Sequence, residues 1–253
     1  MRHDQSFAVG PHVVLDIELH GGSVLLTAGQ SGTVSVAVDG STPDTLDITQ
    51  IGDSIVIRAT RRSRSARLVV DVPVGTDVSV KGASVDVVAR GALGALRVRS
   101  ASGDVRADDV VRADVTLASG DTRLEVVRDG ADFRATSGDI TLGSVGGHLS
   151  ASLASGDIQV EELGGDGDVE TSSGDVTIRR YSGASVAIRT VSGDVRVGLP
   201  SGIRVDPEIS TMSGKVSLPT TPTTLGAGAS SVERRGVKVR LRTVSGDIRI
   251  ERA

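Results

Sequence analysis

The sequence predicts an all-β chain, a right-handed β-solenoid with coils of about 18 residues, and three observations carry that expectation. A Ser-Gly-Asp tripeptide recurs seven times. Apolar residues alternate with polar ones on both sides of it, the period-2 signature of half-buried strands. The composition combines 32 glycines with only 1% aromatic residues, so any core must be built in thin layers of Val, Leu, Ile and Ala. Fixed-period self-similarity of this kind marks a stacked repeat.

The repeats are Ser102-Gly103-Asp104, Ser119-Gly120-Asp121, Ser137-Gly138-Asp139, Ser155-Gly156-Asp157, Ser173-Gly174-Asp175, Ser192-Gly193-Asp194 and Ser245-Gly246-Asp247. The step from serine to serine is nearly constant from Ser102 to Ser173, then lengthens slightly to Ser192 and again to a variant copy, Ser213-Gly214-Lys215. A degenerate copy without glycine, Ser84-Val85-Asp86, precedes the array by one full repeat. Read in chain order, this gives about nine stacked coils from Ser84 to Ser245 and a rod of roughly 40 Å at ~4.8 Å per strand.

Within a repeat, Leu149, Ala151, Leu153 and Ser155 share one face, and Ile158 and Val160 follow the bend. Val186, Ile188, Thr190 and Ser192, then Val195 and Val197, repeat the pattern. Two short strands per coil therefore meet at the Gly-Asp corner, with a second corner near Gly130, Gly147, Gly165 or Gly183. The phase assigns the motif serine inward as a small polar ladder, the glycine to the bend and the aspartate outward. There it is expected to accept local backbone N–H groups as an Asx-type turn.

Residues 1–80 lack the tripeptide but alternate strongly, as at Leu15, Ile17 and Leu19 or Leu68, Val70 and Val72. They are read as an N-terminal β cap or divergent first coils, because a bare solenoid end exposes both apolar layers and unpaired backbone groups. Residues 81–253 form the repeat region. A Pro- and Thr-rich stretch near 219–231 is expected to be an exposed loop.

These residues resemble a bacterial family of putative adhesins built from serial Ser-Gly-Asp-Val β-strand repeats after a capping β region, a family of unknown function. Ala101-Ser102-Gly103-Asp104-Val105, Ser173-Gly174-Asp175-Val176 and Val191-Ser192-Gly193-Asp194-Val195 carry the resemblance. It implies a solenoid architecture and no catalytic signature.

Several function classes are weakened by composition. With 32 acidic against 28 basic residues there is no global field to attract a phosphate backbone, so general nucleic-acid binding is not expected. Without cysteine there is no disulfide framework, thiolate metal site or cysteine nucleophile. No transmembrane segment is expected, since no stretch approaches the ~20 apolar residues of a span. The opening Met1-Arg2-His3-Asp4-Gln5 runs into no apolar segment, which predicts a cytoplasmic protein, with the surface or envelope as the alternative.

Outward aspartates one strand apart raise the question of calcium, which takes oxygen ligands. Arg106, Arg123 and Arg196 follow three of them closely enough to neutralise them, which leaves Asp139, Asp157 and Asp175 as the calcium candidates. The simpler reading makes the ladder turn chemistry, with no cofactor. A carbohydrate-active β-helix enzyme would use clustered carboxylates, for which Glu161 with Glu162 and Asp108 with Asp109 are the available pairs. Four histidines, His3, His12, His20 and His148, form no recognisable constellation. Sugar recognition would want exposed rings, and Tyr181 is the one ring the phase leaves outside the core, Phe133 being in phase with it.

Arg58, Arg61, Arg62, Arg64 and Arg67 read as a solvated hairpin loop before they read as an anion site. The function expected is therefore a non-enzymatic scaffold or interaction module, with a protein partner or self-association. A calcium-stabilised adhesin and a carbohydrate-active enzyme are the alternatives.

Overall fold

A computed structural model describes residues 2–30, 32–39, 46–60, 65–201, 204–218 and 236–252. Among them are twenty strands and no helix. In chain order these are β1 (Arg2–Ala8), β2 (Val14–Gly29), β3 (Thr33–Asp39), β4 (Leu46–Ile51), β5 (Ser54–Ala59), β6 (Ala66–Pro73) and β7 (Asp77–Ser102). Then follow β8 (Val105–Ser119), β9 (Thr122–Ser137), β10 (Ile140–Val145), β11 (Leu149–Ser155), β12 (Ile158–Leu163), β13 (Gly167–Ser173) and β14 (Val176–Tyr181). The last are β15 (Ser185–Ser192), β16 (Val195–Leu199), β17 (Arg204–Ser213), β18 (Val216–Ser217), β19 (Gly236–Ser245) and β20 (Ile248–Arg252).

In the middle of the chain every pairing is parallel and steps one repeat along the sequence. Leu142 lies beside Val160, Val160 beside Ile178 and Ile178 beside Val197. On the other side of the bend Ala151 pairs with Val169 and Val169 with Ile188. The inward residues of both strand sets fill the space between them as one continuous apolar cluster from Val13 to Ile250. It contains two aromatic rings, Phe133 and Tyr181, and is otherwise Val, Leu, Ile and Ala. A single coil buries almost nothing alone, so cohesion comes from stacking.

The N-terminal end departs from this order. Strand β2 has β7 along one edge, with Leu15 beside Val78 and Val24 beside Val87. Along its other edge lie β5, with Leu15 beside Ile55, and β6, with Val24 beside Leu68. The coil formed by β5 and β6 thus lies outside the coil formed by β2, although it follows it in sequence. Beyond it the pairing turns antiparallel: β4 covers β5, β3 covers β6, and β1 covers β3. Among the described residues before Asp77 there are accordingly two coils and three antiparallel strands.

The C-terminal end is permuted in the same sense. Strands β19 and β20 lie between β15/β16 on one side and β17/β18 on the other. Chain order would put Ser213 next to Ser192; in the structure Ser245 lies between them. Two features explain why. Pro207 stands in β17 opposite Val239; proline has no N–H for a ladder and is confined to edge strands. Strand β19 presents Val237, Val239, Leu241 and Thr243 inward, all buried, as a central strand requires. The less apolar coil is therefore the outer one.

Candidate functional site

The corner column is the most regular feature of the molecule, and two constraints make its middle residue glycine. Gly103, Gly120, Gly138, Gly156, Gly174, Gly193, Gly246 and Gly214 all have φ between 123° and 152°, and no other residue type among the described residues has positive φ. A Cβ at Gly156 would also lie 2.1 Å from the carbonyl oxygen of Gly138, and the same clash recurs along the column. The degenerate copy escapes because Val85 has an ordinary φ and turns its side chain into the core.

The aspartates act differently from the local turn expected of them. One oxygen of each accepts the backbone N–H of the corresponding residue in the next coil. Asp86 receives Asp104 N at 3.0 Å, Asp104 receives Asp121 N at 3.1 Å, and Asp121 receives Asp139 N at 3.0 Å. Asp139 holds Asp157, Asp157 holds Asp175 and Asp175 holds Asp194, at 2.9, 2.8 and 2.8 Å. Asp194 then holds Asp247 and Asp247 holds Lys215, at 2.9 and 2.8 Å. The ladder staples neighbouring coils from that of Asp86 to the C-terminal end of the stack and ends on lysine in the outermost coil, where no further coil needs an acceptor.

The motif serines do not point inward. Ser119, Ser137, Ser155, Ser173, Ser192 and Ser245 are exposed and Ser102 is half-buried. The bend inserts a step into the alternation, so the inward place falls two residues earlier. There Thr171, Thr190, Thr243 and Thr211 stack in register as a short polar column. Thr171 and Ser100 donate to the carbonyls of Ser173 and Ser102, while the hydroxyls of Thr190 and Thr243 have no partner among the described residues.

The other candidate residues are dispersed. Asp139, Asp157 and Asp175 each spend one oxygen on a backbone N–H, and among the described residues no three His, Asp or Glu side chains gather as a metal group. Arg179 is 3.1 Å from Glu161, and Arg180 is bonded to Glu162. Arg128 Nε donates to Asp109 at 2.9 Å, which raises the pKa of that guanidinium, and Asp108 accepts Gly91 N. The paired acids are thus tied to separate partners and do not converge. His12, His20 and His148 are exposed, and the side chain of His3 is outside the described residues. Arg58 lies 3.7 Å from Glu18; Arg67 is exposed in β6; Arg61, Arg62 and Arg64 are outside the described residues, as is the 219–231 stretch.

Tyr181 corrects the sequence reading outright. It is fully buried at the end of β14, 0% exposed, and burial with the nearby Asp166 carboxylate drives its pKa well above the ordinary tyrosine value. Its hydroxyl occupies the space that a side chain at Gly183 would fill, 2.6 Å from where that Cβ would stand. The shift in spacing between the inward positions 178 and 181 at the second corner was the missed signal.

The outer surface is flat and ruled with side-chain ladders. A shallow open hollow of about 500 Å³ occurs where Gly198 interrupts a row, lined by Gln159, Thr177, Arg179, Arg196 and Glu251. Its arginines are already engaged, Arg196 with Asp194 at 3.1 Å and Arg179 with Glu161. No helix among the described residues is long and apolar enough to cross a membrane.

Parallel coils, a core filled by side chains and a stapled corner define a β-solenoid-like repeat protein. The chain belongs to the Toastrack DUF4097 family, whose model matches residues 14–251. It is also similar to a solved "putative adhesin" from Bacteroides fragilis NCTC 9343, with 12% identity over 98% of this chain and 97% of that one, TM-score 0.47. A "putative adhesin" from Parabacteroides merdae ATCC 43184 shares 10% identity over 98% and 95% of the two chains, TM-score 0.47. A "putative cell adhesion protein" from Clostridium sporogenes ATCC 15579 shares 11% identity over 100% of both, TM-score 0.28. No curated protein matches the chain.

Proposed function

We propose that this chain is a non-enzymatic, adhesin-like scaffold, a right-handed solenoid rod with an N-terminal cap that binds a protein partner along its flat faces. One observation carries the reading: the interior is filled by apolar side chains, while the regular features lie outside as exposed ladders at one-coil spacing. Such surfaces suit extended, multivalent contact. The acid pairs that an enzyme would need are tied to separate partners, Glu161, Glu162 and Asp109 to arginines and Asp108 to the Gly91 N–H, which supports a binding role over catalysis. The reading locates the chain in the cytoplasm; recovery in the envelope fraction would move it to the surface.

The test is site-specific photo-crosslinking in cells from Thr116, Ser152 and Glu170 on one face and from Thr141 and Gln159 on the other. A discrete protein adduct formed from several coils of one face supports the reading. Absence of adducts from every position, together with turnover of a polysaccharide by the pure protein, would overturn it.

A further inference from the structure

The two ends of the stack are closed to different degrees. At the N-terminal end the outermost coil is β5 and β6, and its inward residues Ile55, Ile57, Leu68 and Val70 are all 0% exposed, with the antiparallel strands β4 and β3 laid beside them. At the C-terminal end the outermost coil is β17 and β18, which pair only with β19 and β20 among the described residues. Val216 lies beside Ile248, and Leu218 follows at the place of Ile250. The two isoleucines are 0% and 3% exposed, but Val216 and Leu218 are 44% and 49% exposed. Val205 and Ile209, beside the buried Val237 and Leu241, are only half-buried. The apolar core is therefore left open at this end.

Backbone groups point the same way. Each motif glycine from Gly120 to Gly246 donates its N–H to the motif serine carbonyl of the next coil toward this end, the last being Gly246 to Ser213 at 2.9 Å. The residue after the aspartate does likewise, the last being Ile248 to the Lys215 carbonyl at 2.9 Å. Gly214 and Val216 hold those places in the outermost coil, and among the described residues no further carbonyl meets them. In β19 Lys238 donates inward to Ala184, so the alternate residue Val239 turns its N–H and carbonyl to β17. Pro207, opposite Val239, then faces the open edge with a carbonyl and no N–H. Ile209 and Thr211, at the same parity, face it with both groups. A further parallel coil is disfavoured twice, because Pro207 has no N–H to give it and Lys215 has no carboxylate to hold its corner.

We infer that this end is a self-association surface, closed by the same end of a second copy about a two-fold axis. Such an axis sets β17 antiparallel to its counterpart. With Ile209 opposite Ile209 across the axis, the Thr211 N–H meets the Pro207 carbonyl, which needs no N–H from proline, and Glu208 meets Ser210, so no like charges are opposed. The open apolar layers of the two coils then cover each other. The occupant is a second copy because the surface is the cross-section of one coil. A bent pair of strands with inward apolar residues at the same spacing covers it, and the chain itself carries one at this end. Its other end is closed by β3 and β4, so head-to-tail growth is not available and association stops at two. The contact is small, which puts the dissociation constant on the order of 10–100 µM. This association is independent of what the flat faces bind.

Sedimentation velocity of the full chain over a concentration series tests it, with circular dichroism as a check on folding. The wild type is expected to pass from monomer to dimer and no further. Val216→Lys with Leu218→Lys should weaken the dimer by about tenfold or more, because the contact would have to bury unpaired cations. Val216→Thr with Leu218→Thr replaces that variant if it misfolds, and should weaken the dimer by about threefold or more. Ile51→Lys, on the edge strand β4 at the other end, should leave it unchanged. Geometry is read with cysteines, since the natural chain has none. Ser210→Cys, close to the axis, should be joined to a second copy of itself by a short bismaleimide. Thr49→Cys on β4 should not, either alone or mixed with Ser210→Cys. A monomer at every concentration, a dimer that survives the substitutions at Val216 and Leu218, or a crosslink between Ser210→Cys and Thr49→Cys would overturn the inference. The first result would show that the end is covered within one chain or left bare, and the last that the copies stack head to tail.

Discussion

The middle of the rod and its two ends are built from the same coil but obey different orders. Between Val105 and Leu199 each coil stacks on the one before it in sequence, so its corner residue meets a neighbour on both sides. At both ends the coil nearest the terminus of the chain is tucked inward, and the coil beyond it comes from further along the interior of the sequence. The difference shows what the motif is for. Glycine recurs where two backbones press together at a bend, and aspartate recurs where another coil must be held. Where those conditions lapse, valine or lysine takes the place.

The largest effect expected follows from the permuted order. Among the described residues, strands β17 and β18 pair only with β19 and β20. Deleting residues 236–252 should therefore strip hydrogen-exchange protection from 204–217 as well, leaving 140–181 protected. Cysteine pairs sharpen the point, since the natural chain has none. Ser192→Cys with Ser245→Cys should oxidise to a disulfide, because adjacent coils place Cα atoms about 5 Å apart. Ser192→Cys with Ser213→Cys should not. The reverse outcome would restore the chain-order stack.

Next in size is the corner glycine. Gly156→Val introduces both a disfavoured φ and a Cβ clash with the Gly138 carbonyl, and should cost about 3–5 kcal/mol. Gly130→Ala, whose nearest neighbour would be 3.5 Å away at ordinary φ, should be close to neutral in the same urea titration. Equal effects would mean that the bend tolerates side chains and that repetition of glycine has another origin.

The aspartate ladder predicts a smaller, position-dependent effect. Asp157→Ala leaves the Asp175 N–H without its acceptor and should cost about 1–3 kcal/mol. Lys215→Ala, at the end of the ladder, should cost almost nothing, because that residue contributes only backbone groups, its N–H to Asp247 and its carbonyl to Ile248 N. Millimolar calcium should leave the melting temperature unchanged, since the ladder already satisfies one oxygen of each candidate aspartate. A rise abolished by a chelator and by Asp157→Asn would show that the second oxygens hold a cation.

Much of this was legible in the sequence, and the parts that were not share a cause. Strand alternation and the glycine bend are local properties, and Val195, Val197, Ile248 and Ile250 announce their burial by spacing alone. The role of Asp157 is hidden because its partner lies one whole repeat away, and a single repeat offers no sign of whether a carboxylate bonds within its own turn or across to the next. Strict alternation carried through the corner places the motif serines inward, but the bend adds a step there; the same extrapolation places Tyr181 outward at the other corner. The order of the end coils is hidden because adjacency in sequence does not fix adjacency in the stack. Pro207 and Lys215 carried the contrary signal, one residue unable to donate on a central strand and one unable to accept from a further coil.

The smallest effect concerns the ion pairs that hold the outermost coil to the inserted one. Glu208 on β17 bonds to Arg240 and Arg242 on β19, and these contacts lower its pKa in the folded chain. A carboxylate whose folded pKa is depressed contributes stability above its unfolded pKa and loses it as pH falls through the folded value. The pair is exposed and screened by salt, so the contribution is slight. Glu208→Gln should lower hydrogen-exchange protection of 204–213 a little at neutral pH and low salt. The gap between variant and wild type should close as the solution is acidified below the carboxylate range, and again in high salt at neutral pH. Protection of the regular coils at 140–181 should not respond to the substitution at all. If it fell equally, the outermost coil would be cooperative with the middle of the rod, and the distinction between a stapled interior and a lightly held end would fail.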